Sequence, residues 1–236
     1  MRYSLTIQEQ HHKSLKNSLI QADGKERVAF IICGRSKVKN KETRFLSKEI
    51  HVLSDNELLI SESSKVSWDN NYFINILKKA SSKNFAVVLI HNHPTGYNNF
   101  SLVDDHGEYH LFKLAFNRNG GNDPHASLIM LPDGSITGRV WKSDLTTYPI
   151  SLIRIIGKTI QLYYPEKTKN YKSPETFNRQ QLAFGNSLTQ DLSKLKISIV
   201  GAGATGSATA LLLTRLGAGE LCLIDKDIVE ESNLNR

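Results

Sequence analysis

The chain has 236 residues, a formal net charge of +7 and 39% apolar residues, which suits one large or two small globular domains rather than a disordered or fibrous chain. Its lysines and arginines are scattered without an arginine-rich arm, so nucleic acid is not an expected partner. Two distant cysteines, Cys33 and Cys222, imply no disulfide framework and fit a reducing cytoplasm; no apolar run reaches the roughly 18 residues of a membrane span, and MRYSLTIQEQHHK carries no secretory signal.

ERVAFIICG (26–34) is a short apolar, β-branched run and reads as a buried strand, and RFLSKEIHVL (44–53) reads as a second. NNYFINILKKASS (70–82) has helical spacing, with Phe73, Ile76 and Leu77 on one face. FAVVLIH (85–91) is a strongly apolar strand that delivers His91 at its end. SLVDDHGEYHLFKLAF (101–116) reads as a helix closed by Asn-Gly-Gly at 119–121, and ASLIMLPDGSITGRVW (126–141) as two strands around a Pro-Asp-Gly turn. After about 145 the character changes, and prolines and lysines suggest an exposed connection. From about 175 the pattern becomes strand, glycine turn, helix, strand.

The segment HNHPTGYNNFSLVDD (91–105) holds most of the chemistry. His91 and His93 are two apart at a strand end, so both side chains fall on one face. Ser101 and Asp104 are three apart at a helix start and share a face. If the loop folds back, two imidazoles and one carboxylate converge, a common catalytic zinc set with a fourth position open to water. A plainer reading makes Ser101 and Asp104 a helix capping box. His106 and His110, four apart, form a rival metal pair or a solvated helix face.

His91-x-His93-Pro94, then Ser101 and Asp104 in the same register, resembles the JAMM motif of the JAB/MPN metalloproteases. The resemblance covers roughly residues 1–145. It implies a central mixed sheet flanked by helices, zinc held by His91, His93 and Asp104, and Ser101 beside the metal as a hydrogen-bond donor. It also implies hydrolysis of the bond after a ubiquitin-like protein, whose extended C-terminal tail would lie beside a sheet edge. The family's general base is a glutamate on an early strand shortly before a glycine. Glu26, ahead of Gly34, is the candidate at a spacing about one residue longer than usual, with Glu42 and Glu49 as fallbacks.

Further on, Lys196–Val200 reads as a buried strand, Gly201-Ala-Gly203-Ala-Thr-Gly206 as a phosphate turn, and Ser207 as the opening of an apolar helix. Leu221–Asp225 is the next strand, ending in an acid suited to a ribose. On these residues alone a nicotinamide or flavin domain is a fair reading. Asp225-Lys-Asp227-Ile-Val-Glu-Glu-Ser-Asn233-Leu-Asn-Arg236 and Phe177-Asn-Arg179-Gln, however, resemble segments of the ThiF/MoeB family of adenylating domains. That resemblance implies ATP with Mg2+ in a complete domain. Gly201, Gly203 and Gly206 would line the phosphates, Asp225 would hold the ribose, and Asn233, Arg236 and Arg179 would contact phosphates.

The family's lysine, magnesium-binding aspartate and catalytic cysteine have no counterpart here, so the expectation is a piece of a longer protein that does not itself adenylate. The combined expectation is an α/β chain. A JAB/MPN domain fills 1–150, 151–174 is a linker, and 175–236 is the first part of a Rossmann-like βαβ domain of ThiF type. Such fusions resemble bacterial ubiquitin-like conjugation systems, often linked to antiphage defence. They admit a conjugating enzyme as a further partner and a homodimer through the ThiF-like part. The competing readings are a non-catalytic MPN scaffold and a nucleotide-binding module whose N-terminal half mediates contacts.

Overall fold

The computed structural model describes residues 2–38, 42–119, 121–164, 174–228 and 230–231. The chain divides into two compact units, Met1–Lys167 and Thr168–Arg236. The first unit runs β1 (Arg2–Gln8), α1 (Glu9–Leu19), β2 (Val28–Val38), β3 (Glu42–Val52), β4 (Leu58–Ser61), β5 (Val66–Trp68), α2 (Asn70–Ser81) and β6 (Ala86–Asn92). It continues through α3 (Leu102–Asn119), β7 (His125–Met130), β8 (Ile136–Trp141), β9 (Thr147–Pro149), β10 (Leu152–Ile156) and β11 (Ile160–Tyr163). Among the described residues, nine of these strands form one sheet in the order β11-β10-β1-β3-β2-β6-β7-β8-β9. The sheet is mixed, since β1 runs parallel to β3 and β10, and β6 parallel to β7, while the remaining pairs are antiparallel.

Both faces are covered, which explains why the central strands read as continuous apolar runs. Every residue of β6 is buried. On one face Leu15 and Leu19 of α1 pack with Tyr3, Leu5, Ile7, Ala29, Ile31 and Phe45. On the other, Phe73, Ile76 and Leu77 of α2 and Leu111, Phe112 and Ala115 of α3 cover Val28, Phe30, Ile32, Val87 and Leu89. Each fully buried Leu, Ile, Val or Phe among them contributes about 1.5–3 kcal/mol. The Asp69 side chain accepts from the Asn71 N–H and caps α2.

Two segments depart from the sequence expectation. The polar-looking start forms β1, where Tyr3, Leu5 and Ile7 alternate into the core, and α1, where the few buried positions, His12, Leu15 and Leu19, are correctly spaced. The stretch read as a linker, 151–174, carries two strands of the main sheet. Leu152, Ile153 and Ile155 are buried because β10 pairs with β1, Ser4 lying opposite Leu152. Residues 165–173 lie outside the described ones.

The second unit runs α4 (Asn178–Phe184), α5 (Asn186–Leu192), β12 (Lys196–Val200), α6 (Ala204–Leu216) and β13 (Glu220–Ile224). Strands β12 and β13 pair in parallel across α6, a βαβ unit. The helix opens at Ala204, three residues earlier than the sequence suggests, and ends on left-handed Gly217.

Candidate metal and nucleotide sites

Strand alternation sets up the first site. In the antiparallel pair of β2 and β6, Val28 lies opposite His91. Positions 26, 28 and 30 therefore share a face with 87, 89, 91 and 93, the face covered by α2 and α3. Beyond the ladder Asn92 extends the pairing, its N–H donating to the Arg27 carbonyl at 3.2 Å. Its side chain, on the opposite face, accepts from the Arg27 N–H at 2.6 Å and donates to the Lys25 carbonyl at 3.1 Å. The asparagine between the histidines thus pins the backbone on both sides of Glu26. The hairpin of β4 and β5 holds it from the other side, with the Glu26 N–H donating to the Glu62 carbonyl at 2.7 Å and Ser61 Oγ donating to the Glu26 carbonyl at 2.8 Å.

His91 and His93 are buried, with their Nε2 atoms 3.0 Å apart. Asp104 comes in from the first turn of α3, Oδ1 at 3.2 Å from His91 Nε2 and Oδ2 at 3.5 Å from His93 Nε2. One ligand atom from each of the three lies within 4.8 Å of the others, and among the described residues this is the one such group of three or more. His93 Nδ1 lies 2.7 Å from the Tyr97 carbonyl. A carbonyl only accepts, so Nδ1 carries a proton, and in the neutral ring Nε2 keeps the lone pair that a metal needs, while in the charged ring it donates to Asp104. Two imidazole nitrogens and a carboxylate fit a divalent metal with an open coordination position.

Ser101 forms the helix cap foreseen for it, against Asp104. Its N–H and Oγ donate to Asp104 Oδ2 at 2.6 and 2.7 Å, and the Asp104 N–H donates back to Oγ at 3.2 Å. This reciprocal cap starts α3. It also divides the carboxylate, with Oδ2 held by the cap and Oδ1 facing His91. Burial disfavours the Asp104 charge, but the bonds from His91, His93 and the Ser101 N–H outweigh it and hold its pKa well below the usual range. Burial also works against the charged form of His93, but Asp104 and the Tyr97 carbonyl reverse the effect and raise it.

Glu26 is buried, and burial raises its pKa against the opposing pull of His91 and His93. With His91 and Asp104 it lines a cleft of about 620 Å3, walled by β5 and by one side of α3. The fallback glutamates are engaged elsewhere. Glu42 pairs with Arg44 and accepts from Ser4 Oγ, and Glu49 pairs with Lys79 and His51. His106 and His110 are exposed on α3, their rings 4.6 Å apart at the rim of the same cleft.

In the second unit, Gly201 has φ 88° and its N–H donates to the Ile224 carbonyl at 2.8 Å, turning the chain between β12 and α6. A Cβ on Gly206 would lie 1.7 Å from the Gly201 carbonyl oxygen, whereas one on Gly203 would meet nothing within 4 Å. Gly206 therefore serves close packing of helix on turn, and Gly203 leaves an open approach to the helix N-terminus. Asp225 accepts from the Asp227 N–H at 2.9 Å and the Ala202 N–H at 2.5 Å, which lower its pKa and fix it across the turn. Arg179 stands exposed on α4, and Asn233 and Arg236 lie outside the described residues.

Residues 177–236 match the model of the ThiF family. This segment is a ThiF family domain. Over 60 residues the chain is 38% identical to the tRNA threonylcarbamoyladenosine dehydratase of Bacillus subtilis, covering 25% of this chain and 24% of that protein. Over 62 residues it is 42% identical to the sulfur carrier protein ThiS adenylyltransferase of the same organism, covering 25% of this chain and 18% of that one. Over 52 residues it is 46% identical to the ubiquitin-like modifier-activating enzyme 5 of Gallus gallus, covering 21% of this chain and 13% of that one. The chain thus spans a quarter or less of the length of these relatives. A solution structure from Desulfitobacterium hafniense superposes at a TM-score of 0.43 and 14% identity, covering 65% of this chain and 95% of that one.

The residues that sequence reasoning missed are Asn92, Glu108 and Arg139. Asn92 sits inside the motif, and its place on the alternate face was the available signal. Glu108 is buried near His91 and bonded to Arg139 from a strand 31 residues away, and no local pattern announces that pair.

Proposed function

We propose that the first unit is a zinc-dependent peptidase of JAB/MPN type that cleaves the peptide or isopeptide bond after a ubiquitin-like protein. The observation that carries this reading is the convergence of His91, His93 and Asp104, with buried Glu26 lining the same cleft as His91 and Asp104. His91 and His93 through Nε2, and Asp104 through Oδ1, would hold the metal. A zinc ion supplies Lewis acidity there, acidifying water and polarising a carbonyl. Glu26, with its raised pKa, is suited to take a proton from the attacking water and hand it to the departing amine. The Ser101 hydroxyl stands where it can turn from Asp104 to an oxyanion. The cleft between β5 and α3 takes the extended tail of the modifier.

The ThiF family domain supports a role in ubiquitin-like modifier activation. Gly201, Gly203 and Asp225 would meet ATP and its Mg2+ in a complete domain, with Gly206 shaping the turn. A homodimer through this domain and a conjugating enzyme as partner belong to the same proposal. The test is cleavage of a ubiquitin-like fusion from the same genome neighbourhood, with zinc and with chelator, alongside zinc content by mass spectrometry. Cleavage that needs zinc supports the reading, and zinc-loaded protein that leaves every such fusion intact sinks it.

A further inference from the structure

Beneath the first turns of α3 lies a buried polar network that holds no ligand itself. Glu108 is 3% exposed, and its Oε2 alone accepts from Ser127 Oγ at 2.5 Å, Arg139 Nε at 2.9 Å, an Arg139 terminal nitrogen at 2.7 Å and Trp141 Nε1 at 3.0 Å. Its other oxygen, Oε1, is buried with no partner. A buried ion pair is weak evidence of net stability, and an orphaned carboxylate oxygen subtracts further. Fold stability alone does not account for the arrangement.

Its geometry does. Arg139 lies across from Ser127 in the β7–β8 ladder, so its base is fixed in the sheet. Its guanidinium also pairs with Asp105, the residue after Asp104, while Glu108 stands one turn further along α3. The guanidinium carbon sits 3.8 Å from the centre of the Phe100 ring. Phe100 directly precedes the Ser101 cap, and its ring meets His91 edge-on at 6.4 Å. One cation therefore grips the chain on both sides of the Ser101–Asp104 pair and ties it to the sheet that carries the histidines.

We propose that Arg139, acting through Glu108, Asp105 and Phe100, is the positioning residue that sets Asp104 and Ser101 against His91 and His93. This rests on the metal reading of that cluster. Outer partners of this kind set metal affinity because ligands must be held to a fraction of an ångström. A lysine keeps the charge but neither the fork nor the stack.

The test compares full-length wild type, Arg139→Lys, Arg139→Gln and Phe100→Leu. Zinc dissociation constants come from chelator competition, the Tm of the metal-free proteins from calorimetry, and ligand geometry from the visible spectrum of the cobalt-substituted forms. Arg139→Gln is expected to lose about tenfold or more in zinc affinity and to shift the cobalt bands, with Arg139→Lys and Phe100→Leu in between. A lowered metal-free Tm with wild-type zinc affinity and cobalt spectrum marks a purely structural role and overturns the proposal. Should Arg139→Gln fail to fold, Arg139→Lys and Phe100→Leu decide it, and wild-type affinity in both overturns it. A wild type that binds no zinc overturns the metal reading, and the positioning role with it.

Discussion

Glu26 reaches the histidines because two antiparallel strands run in one fixed register, and Asn92 continues that pairing past the last ladder bond. A neutral side chain of the same shape tests what it does there. Glu26→Gln leaves the ligands His91, His93 and Asp104 in place, so zinc content should match wild type. Cleavage should fall by about 100-fold or more if this carboxylate moves the proton. Full activity in that variant would falsify the assignment. His125 gives a second residue-level prediction, remote from this chemistry. It is buried on β7 and accepts the Val87 N–H at Nδ1, 3.0 Å away. Burial, helped by the nearby Arg35 charge, pushes its pKa down to about 3. The unfolded chain takes up this proton below about pH 6.5 while the folded chain does not. The stabilising contribution is therefore complete above pH 6.5 and is lost as pH falls toward 3, at about 1.4 kcal/mol per pH unit. His125→Gln retains an acceptor for Val87 and should flatten the pH dependence of urea stability between pH 6 and 4. Identical slopes in the two proteins would refute the account.

At the level of elements, α3 carries the cleft wall, the cap and Asp104, and its Gly107 behaves oppositely to Gly138, which packs into the core on the other face of the sheet. Gly107 sits inside the helix with nothing within 4 Å of an added Cβ. Gly107→Ala should stabilise by about 1 kcal/mol through helix propensity, a rise of about 2–4 °C in the Tm of the first unit. A Cβ on Gly138 of β8 would lie 2.4 Å from Leu128 Cδ2 and 2.8 Å from the Ser127 carbonyl. Gly138→Ala should therefore lower the Tm, and a rise would contradict the packing described. What could be read in advance follows the same divide between local and distant. Strand β6 was legible because burial on both faces makes it continuously apolar, and α2 because Phe73, Ile76 and Leu77 repeat at helical spacing. The histidine motif was legible because its parts lie within fifteen residues, 91–105. Helix α1 was not, since only His12, Leu15 and Leu19 of its length are buried. Strand β10 was hidden because its burial depends on pairing with β1, at the far end of the chain, and β11 because it pairs only with β10 and stays largely exposed. Glu108 and Arg139 meet only because the β7–β8 hairpin lies beneath α3.

Across the whole molecule, two units with different chemistry share one chain. The first closes its core on both faces of its sheet. The second is thinner, with Leu182 89% and Val200 80% exposed, and its order depends on local backbone fits. The tightest is at Gly206, where a methyl group would stand 1.7 Å from the Gly201 carbonyl oxygen, a backbone atom that cannot rotate away. Gly206→Ala must therefore displace α6 from the turn and weaken the pairing of β12 with β13. The first unit has its own core and its own candidate metal cluster, all within Met1–Lys167. Hydrogen exchange should accordingly rise in 196–224 and stay at wild-type levels in β2, β6 and α3, with zinc content unchanged. Exchange that rises in β6 as well would mean that the two units fold as one cooperative body. The separation of a metal-centred unit from a ThiF-type one would then have to be abandoned.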